Sequence, residues 1–179
     1  MKIFLTGASG FIGKKFAEFA ANDGKFIYAQ MRKKKNIFSL QRNIKCLIGD
    51  LDKDWSKELS KSSILVHFAA EGVNTNFSKN IYETNVFKSL NLFKNAIKSG
   101  CKKWLVISTS SEYGELINSN KKLSVNSNRI PENDYGLSKA IFSDQCQKLA
   151  KKFNCKVRIM RIFPTYGIGE NERRLFPSL

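Results

Sequence analysis

The stretch Lys2-Ile3-Phe4-Leu5-Thr6-Gly7-Ala8-Ser9-Gly10-Phe11-Ile12-Gly13 joins a short apolar run to a helical one through three glycines. Lys2 to Thr6 is short and largely apolar, the pattern of a buried strand. Phe11 to Asn22 carries Ile12, Phe16 and Phe19 with Ala20 at helical spacing, which predicts a helix with those residues on its inward face. The glycines at 7, 10 and 13 between them permit a tight turn, close approach of backbone to a pyrophosphate, and close helix-sheet packing. The N-terminus of the helix adds unpaired N–H groups and the positive end of a dipole. A strand, a three-glycine turn and a helix in that order point to a dinucleotide site.

Further along the chain, strands and helices alternate. Lys25 to Met31, Ile44 to Ile48, Ile64 to Phe68, Trp104 to Ser108 and Lys156 to Ile162 read as strands, the run at Ile64 being apolar enough to be covered on both faces. Ile81 to Ser99 predicts a helix, with Tyr82, Val86, Leu90, Phe93 and Ile97 repeating every three or four positions, closed by Gly100. Tyr135 to Phe153 predicts another, with Phe142, Cys146, Leu149 and Phe153 inward. Such βα alternation is the mark of an α/β fold with a doubly wound parallel sheet. Residues 1–169 are read as one NAD(P)-binding Rossmann domain. Glu115 to Asp134 is a long polar loop of the kind that tends to be functional.

Composition narrows the classes. Of 179 residues 42% are apolar and 26% charged, which suits a globular core. No apolar run approaches the ~20 residues of a membrane span, and the N-terminus lacks a signal-peptide pattern, so a cytoplasmic protein is expected. The charge is strongly basic, 31 Lys plus Arg against 15 Asp plus Glu, or +16. The lysines come as pairs spread over the whole chain, and the aromatics are not interleaved with them as a base-stacking surface requires, so a solvated basic surface is preferred to a nucleic-acid partner. Cys46, Cys101, Cys146 and Cys155 have no C-x-x-C spacing and no nearby His, so no metal site is expected and the thiols are read as buried in a reducing compartment.

Cofactor choice is set at the end of the second strand, where an acid would bind the ribose 2′-hydroxyl of NAD. Met31 stands there between Gln30 and Arg32, with no carboxylate. Arg32, backed by Lys33 and Lys34, offers a guanidinium to a 2′-phosphate, so NADP is favoured. Tyr135 and Lys139 lie four apart on a helix and project within about 40° of one another. An ammonium there favours phenolate and makes Tyr135 a candidate acid or base.

With these motifs in order, the sequence resembles the extended short-chain dehydrogenase/reductase superfamily, in particular the NAD-dependent epimerase/dehydratase family that modifies nucleotide sugars. Thr6 to Gly13 matches its phosphate loop, which implies cofactor contacts at Gly7, Ser9, Gly10, Phe11, Ile12 and Gly13. Gly49-Asp50-Leu51 is similar to the segment whose Asp meets the adenine amine. His67-Phe68-Ala69-Ala70 resembles the cofactor-lining turn, and Asn85 the helix Asn near the nicotinamide end. Thr109 matches the catalytic Ser or Thr four positions before a Tyr-Gly, Tyr135 and Lys139 match the Y-x-x-x-K pair, and Arg161 to Gly169 resembles the stretch entering the sugar-nucleotide site.

The resemblance implies hydride exchange between NAD(P) and a sugar carbon, with Tyr135 moving the hydroxyl proton, Lys139 holding the nicotinamide ribose and Thr109 bonding the reacting oxygen. His67 is expected to be structural. Dehydratases of the family carry an Asp-Glu or Ser-Glu pair directly after the catalytic Thr, where this chain has Ser110 and Ser111; Glu112, by strand alternation, points elsewhere. A 4-keto-sugar reductase or a C4 epimerase is therefore expected. Pro164 stands where many relatives have a substrate-binding Asn. Relatives continue into a substrate domain, so the resemblance implies that 170–179 is the start of a truncated substrate-binding region, and the alternative is a catalytically incomplete cofactor-binding fragment or sensing module. Relatives also dimerise through helices matching Ile81 to Ser99 and Tyr135 to Phe153, which implies a homodimer, although Lys88, Lys98, Lys148 and Lys151 on the outward faces would repel across it.

Overall fold

The computed structural model describes residues 1–33, 37–38, 41–72, 80–118 and 122–170. Lys34, Lys35, Lys121 and the expected start of a substrate region at 171–179 lie outside the described residues. Six strands run β1 (Lys2–Thr6), β2 (Phe26–Met31), β3 (Ile44–Ile48), β4 (Ile64–His67), β5 (Lys103–Thr109) and β6 (Lys156–Ile162). All pairings are parallel and the order across the sheet is β3-β2-β1-β4-β5-β6. The order reverses between β1 and β4, and the crevice at the carboxyl ends of such strands is where ligands bind in open α/β sheets.

The helices are α1 (Phe11–Asn22), α2 (Ser56–Leu59), α3 (Ser89–Lys98) and α4 (Asp134–Lys152). Alternation along β1 divides the core. Ile3 and Leu5 join Ala17, Ala20, Ala21, Ile27 and Met31 under α1, whereas Phe4 joins Trp55, Leu65, Phe93, Trp104 and Phe142 under α2, α3 and α4. The sheet is thus covered by helices on both faces, as a doubly wound sheet requires.

Two expectations about helix faces are corrected. Phe19 is 75% exposed, because the face of α1 against the sheet is built from the small residues Gly13, Ala17, Ala20 and Ala21, which bring the helix axis close. Phe153 falls just past the last turn of α4 and is half-exposed. The helix expected from Ile81 to Ser99 is not regular: Glu83–Lys88 is a π-helical turn that runs into α3, and such widened turns favour functional positions. The thiols are corrected too. All four are free, but Cys46 is exposed and Cys155 only half-buried, while burial pushes Cys101 up to about 11 and Cys146 higher still.

No helix among the described residues is long and apolar enough to cross a membrane.

Candidate active site

The turn after β1 is shaped by backbone contact. Gly7 has φ +68°, and a Cβ on it would sit 2.6 Å from the Ala69 nitrogen, so β4's exit loop seals one side of the turn. Gly10 caps α1 without a side-chain hydrogen bond, and the first turn of α1 contains no acid. The leading N–H groups of the helix therefore face the crevice without a capping side chain, an arrangement suited to phosphate oxygens.

A cleft of about 540 Å³ opens from this turn. It is lined by the sequence-expected Gly7, Ser9, Gly10, Phe11, Ile12, Gly13, Arg32, Asp50, Leu51, Phe68, Ala69, Ala70, Tyr135 and Lys139, with Gln30, Glu71 and Thr84 in addition. A smaller cavity of about 260 Å³ adjoins it and is lined by Thr109, Ser110, Ser111, Asn133, Phe163 and Pro164. Tyr135, Ile12, Ile162 and Thr165 border both. Tyr135 thus stands where the two spaces meet, with Lys139 on the side of the larger one and Thr109 on the side of the smaller.

Local forces place this trio. Asn133 caps α4 by accepting from the Gly136 N–H at 2.8 Å. Gly136 lets the helix start press on the turn after β5: a Cβ there would meet the Ser111 carbonyl oxygen at 2.5 Å. Thr109 ends β5, accepts from the Ser111 N–H at 3.2 Å and donates to the Ser111 hydroxyl at 3.1 Å. Lys139 is 2% exposed, and burial pushes its ammonium down to about 8, with the charge of Glu112 acting in the opposite direction.

Asn85 does not line the cleft. It is buried, its carbonyl accepts from the Glu71 N–H at 2.7 Å, and its amide donates to the Glu71 carbonyl and the Ser138 hydroxyl, each at 3.0 Å. Its visible work is to tie the loop after β4 to α4. Asp50 lines the cleft with its carboxylate engaged, Oδ2 by Lys88 at 2.5 Å and Oδ1 by the Leu51 N–H. Burial opposes ionisation of Asp50, and these partners outweigh it and hold its pKa below the usual range. Lys88 therefore does not sit on the outward helix face. Arg32 is exposed and pairs with Glu71 at 3.2 Å.

His67 is fully buried. The Ala69 N–H donates to Thr6 Oγ1, which faces His67 Nδ1 at 2.8 Å; Nε2 faces Ser89 Oγ at 3.1 Å, which donates to the Thr84 carbonyl. Each hydroxyl proton finds an acceptor if Thr6 donates to Nδ1 and Nε2–H donates to Ser89. Burial, then the Lys139 charge, hold the ring well below its ordinary pKa, so it is a neutral structural link between β1, β4 and α3.

Sequence reasoning missed Glu112. Residues 110–112 form a 3-10 turn, so strand alternation does not apply there. The Glu112 carboxylate is fully buried, accepts from the hydroxyls of Ser108 and Ser143, and pairs with Arg129 at 3.2 Å and Arg161 at 2.6 Å. Burial raises its pKa, and these partners more than reverse the effect, so it stays ionised and gives no acid to the cavity. Among the described residues no cluster of His, Cys, Asp or Glu could hold a metal ion.

The chain is 29% identical to UDP-glucose 4-epimerase of Vibrio cholerae over 99% of its own length and 55% of that protein. It is 27% identical to GDP-6-deoxy-D-talose 4-dehydrogenase of Aggregatibacter actinomycetemcomitans, covering 100% of itself and 58% of that protein. The structure of UDP-glucuronic acid 4-epimerase from Bacillus cereus, solved with UDP-glucuronic acid and NAD, superposes with a TM-score of 0.89 at 26% identity, over all of this chain and 62% of that one. The chain thus spans little more than half the length of these relatives. The model of the NAD dependent epimerase/dehydratase family matches residues 3–179, and the chain belongs to that family.

Proposed function

We propose that these 179 residues are the dinucleotide-binding and proton-transferring part of a nucleotide-sugar oxidoreductase, and that on their own they bind cofactor without turning over sugar. One observation carries the reading: Tyr135 stands at the junction of a cleft lined by the phosphate turn and a cavity lined by Thr109. The residues fit a dinucleotide, since the cleft of about 540 Å³ begins at an uncapped helix start and ends at a Tyr-Lys pair.

When bound, a nicotinamide dinucleotide supplies acceptance and return of hydride at a sugar carbon. The turn from Gly7 to Gly13 holds its phosphates by backbone N–H groups. The Tyr135 phenol exchanges a proton with the sugar oxygen, and Thr109 turns its hydroxyl from Ser111 to that oxygen. The Lys139 ammonium, buried beside the cleft, favours the phenolate. Ser110 and Ser111 offer no acid for elimination and Glu112 is held by two arginines, which favours reduction or epimerisation at C4 over dehydration. Arg32 at the adenosine end, with no carboxylate on β2, favours NADP, although the B. cereus epimerase was solved with NAD.

That the chain alone binds without turnover is supported by its open substrate side. Phe163, 49% exposed, lines the smaller cavity, and Met160, Tyr166 and Ile168 of the same stretch of chain are between 50% and 91% exposed, an apolar surface suited to seating the rest of a sugar-binding region. The test is turnover of UDP-, dTDP- and GDP-sugars by the chain, with Tyr135→Phe as control. Cofactor binding without turnover is expected. Turnover abolished by Tyr135→Phe would overturn the incompleteness, and turnover unaffected by it would overturn the role of Tyr135.

A further inference from the structure

We propose that Glu112 is a positioning residue of the proton-transfer site, its buried carboxylate locking the Thr109–Ser111 turn onto α4 and serving as counter-charge to the Lys139 ammonium. The inference rests on the reading of Lys139 as the group beside the cofactor. Glu112 follows directly on the turn that carries Thr109. Its acceptor positions are filled from four directions: Ser108 from β5, Arg129 from the loop before α4, Ser143 from α4 at 2.7 Å, and Arg161 from β6. Ser143 stands one helical turn beyond Lys139, so the bond to Glu112 fixes the helix face that presents Lys139 and, one turn earlier, Tyr135.

Charge, beyond shape, distinguishes this tie. Burying a carboxylate costs several kcal/mol that neutral groups would avoid. Among the described residues no carboxylate lies within ion-pair distance of Lys139, and Glu112 is the carboxylate whose field acts on it from across the turn. The remaining groups around Lys139 supply no substitute. Cys146 of its own helix acts in the same direction but less than Glu112, and burial holds its thiol protonated, while His67 faces Lys139 from β4 as a neutral ring. Glu83 of the π-helical turn and Lys94 and Lys98 of α3 are exposed, and Lys88 turns to Asp50. Arg161 and Arg129 meet Glu112 itself, and Asp144 takes a share of Arg129 at 2.5 Å.

The test is fluorescence titration of NADH and NADPH between pH 6 and 10. Affinity of the parent chain falls as pH rises through the titration of Lys139, near 8. Glu112→Gln keeps the shape and removes the charge, and is expected to move this midpoint down by about one pH unit. Arg129→Gln leaves the Glu112 charge less compensated and is expected to move it up, which keeps the proposal testable if Glu112→Gln fails to fold. Uniformly weaker binding with an unmoved midpoint in either folded variant overturns the proposal, since a merely structural role would do that. Lys139→Ala separates the underlying reading: if it retains the parent's midpoint, Lys139 is not the titrating group and the reading of Lys139 fails on its own account.

Discussion

Replacing Gly13 by Ala isolates the phosphate turn from the rest of the fold. A Cβ at position 13 lies 2.3 Å from the Gly7 carbonyl oxygen, 3.0 Å from its carbon and 3.4 Å from Ala8 Cα. All three are backbone atoms, so no rotamer change relieves the contact, and reaching even 3.0 Å requires a displacement of 0.7 Å. The Gly7 carbonyl accepts the Gly10 N–H at 3.0 Å, so the turn itself deforms. Overpacking of this kind costs ~1–3 kcal/mol, and the better helix propensity of Ala returns ~1 kcal/mol, which leaves a net loss of roughly 0–2 kcal/mol. Binding suffers more. A hydrogen bond to a charged phosphate is worth ~1.5–3 kcal/mol, so loss of a single N–H contact weakens NADH or NADPH about 10- to 100-fold.

Fluorescence titration beside urea unfolding reads both quantities. Gly100→Ala is the control: with φ +80° and open space around it, it should cost ~1–2 kcal/mol of stability and leave affinity unchanged. Gly13→Ala binding within threefold of the parent would refute the assignment of this turn to the phosphates.

Arg32→Ala should weaken NADPH about tenfold or more and leave NADH nearly unchanged, since among the described residues the exposed guanidinium forms one ion pair, with Glu71; equal effects on both, measured by the same titration, would remove the NADP preference. Gly136→Ala should force α4 away from Ser111 and lower the thermal midpoint by an amount equivalent to ~1–3 kcal/mol, read by calorimetry, because the obstacle at 2.5 Å is again backbone. Glu112 has a pKa below that of the unfolded chain, ~4.3, so its stabilisation is complete above that value and is lost as pH falls through the folded pKa. Acid unfolding followed by circular dichroism should therefore steepen below pH ~4, and Glu112→Gln, already less stable at neutral pH, should flatten that limb.

Much of the fold was legible because strands buried on both faces announce themselves by composition. Ile64 to His67 and the run from Lys2 to Thr6 have no other stable use in a small domain. The inward face of α1 is not legible from residue size. The contact there depends on small residues, and the large Phe19 is left outside. The π-helical turn left no trace in periodicity, since it is stabilised by Asn85 bonding to Glu71 and Ser138, partners 14 and 53 positions away.

The same limit applies to the site. Gly7, Gly10, Gly13, Tyr135 and Lys139 announce themselves by short-range spacing, and the structure brings all five to one cleft. The network around Glu112 draws on Ser108, Arg129, Ser143 and Arg161, of which only Ser108 is a near neighbour in sequence; the packing of α4 and β6 against β5 brings in the others. Arg161 was visible only as the first residue of a motif, and Arg129 lay inside a loop chosen for its polarity. The thing that could have been noticed is that Glu112 is an acid inside a Ser/Thr-rich turn at the end of a buried strand.

The most direct test of the account is an equilibrium titration of the 179-residue chain with NADPH and NADH, followed by calorimetry and nucleotide fluorescence. The account predicts saturation at one dinucleotide per chain, with NADPH the tighter and with affinity lost in Gly13→Ala. A folded chain that shows no saturable binding of either dinucleotide would contradict it.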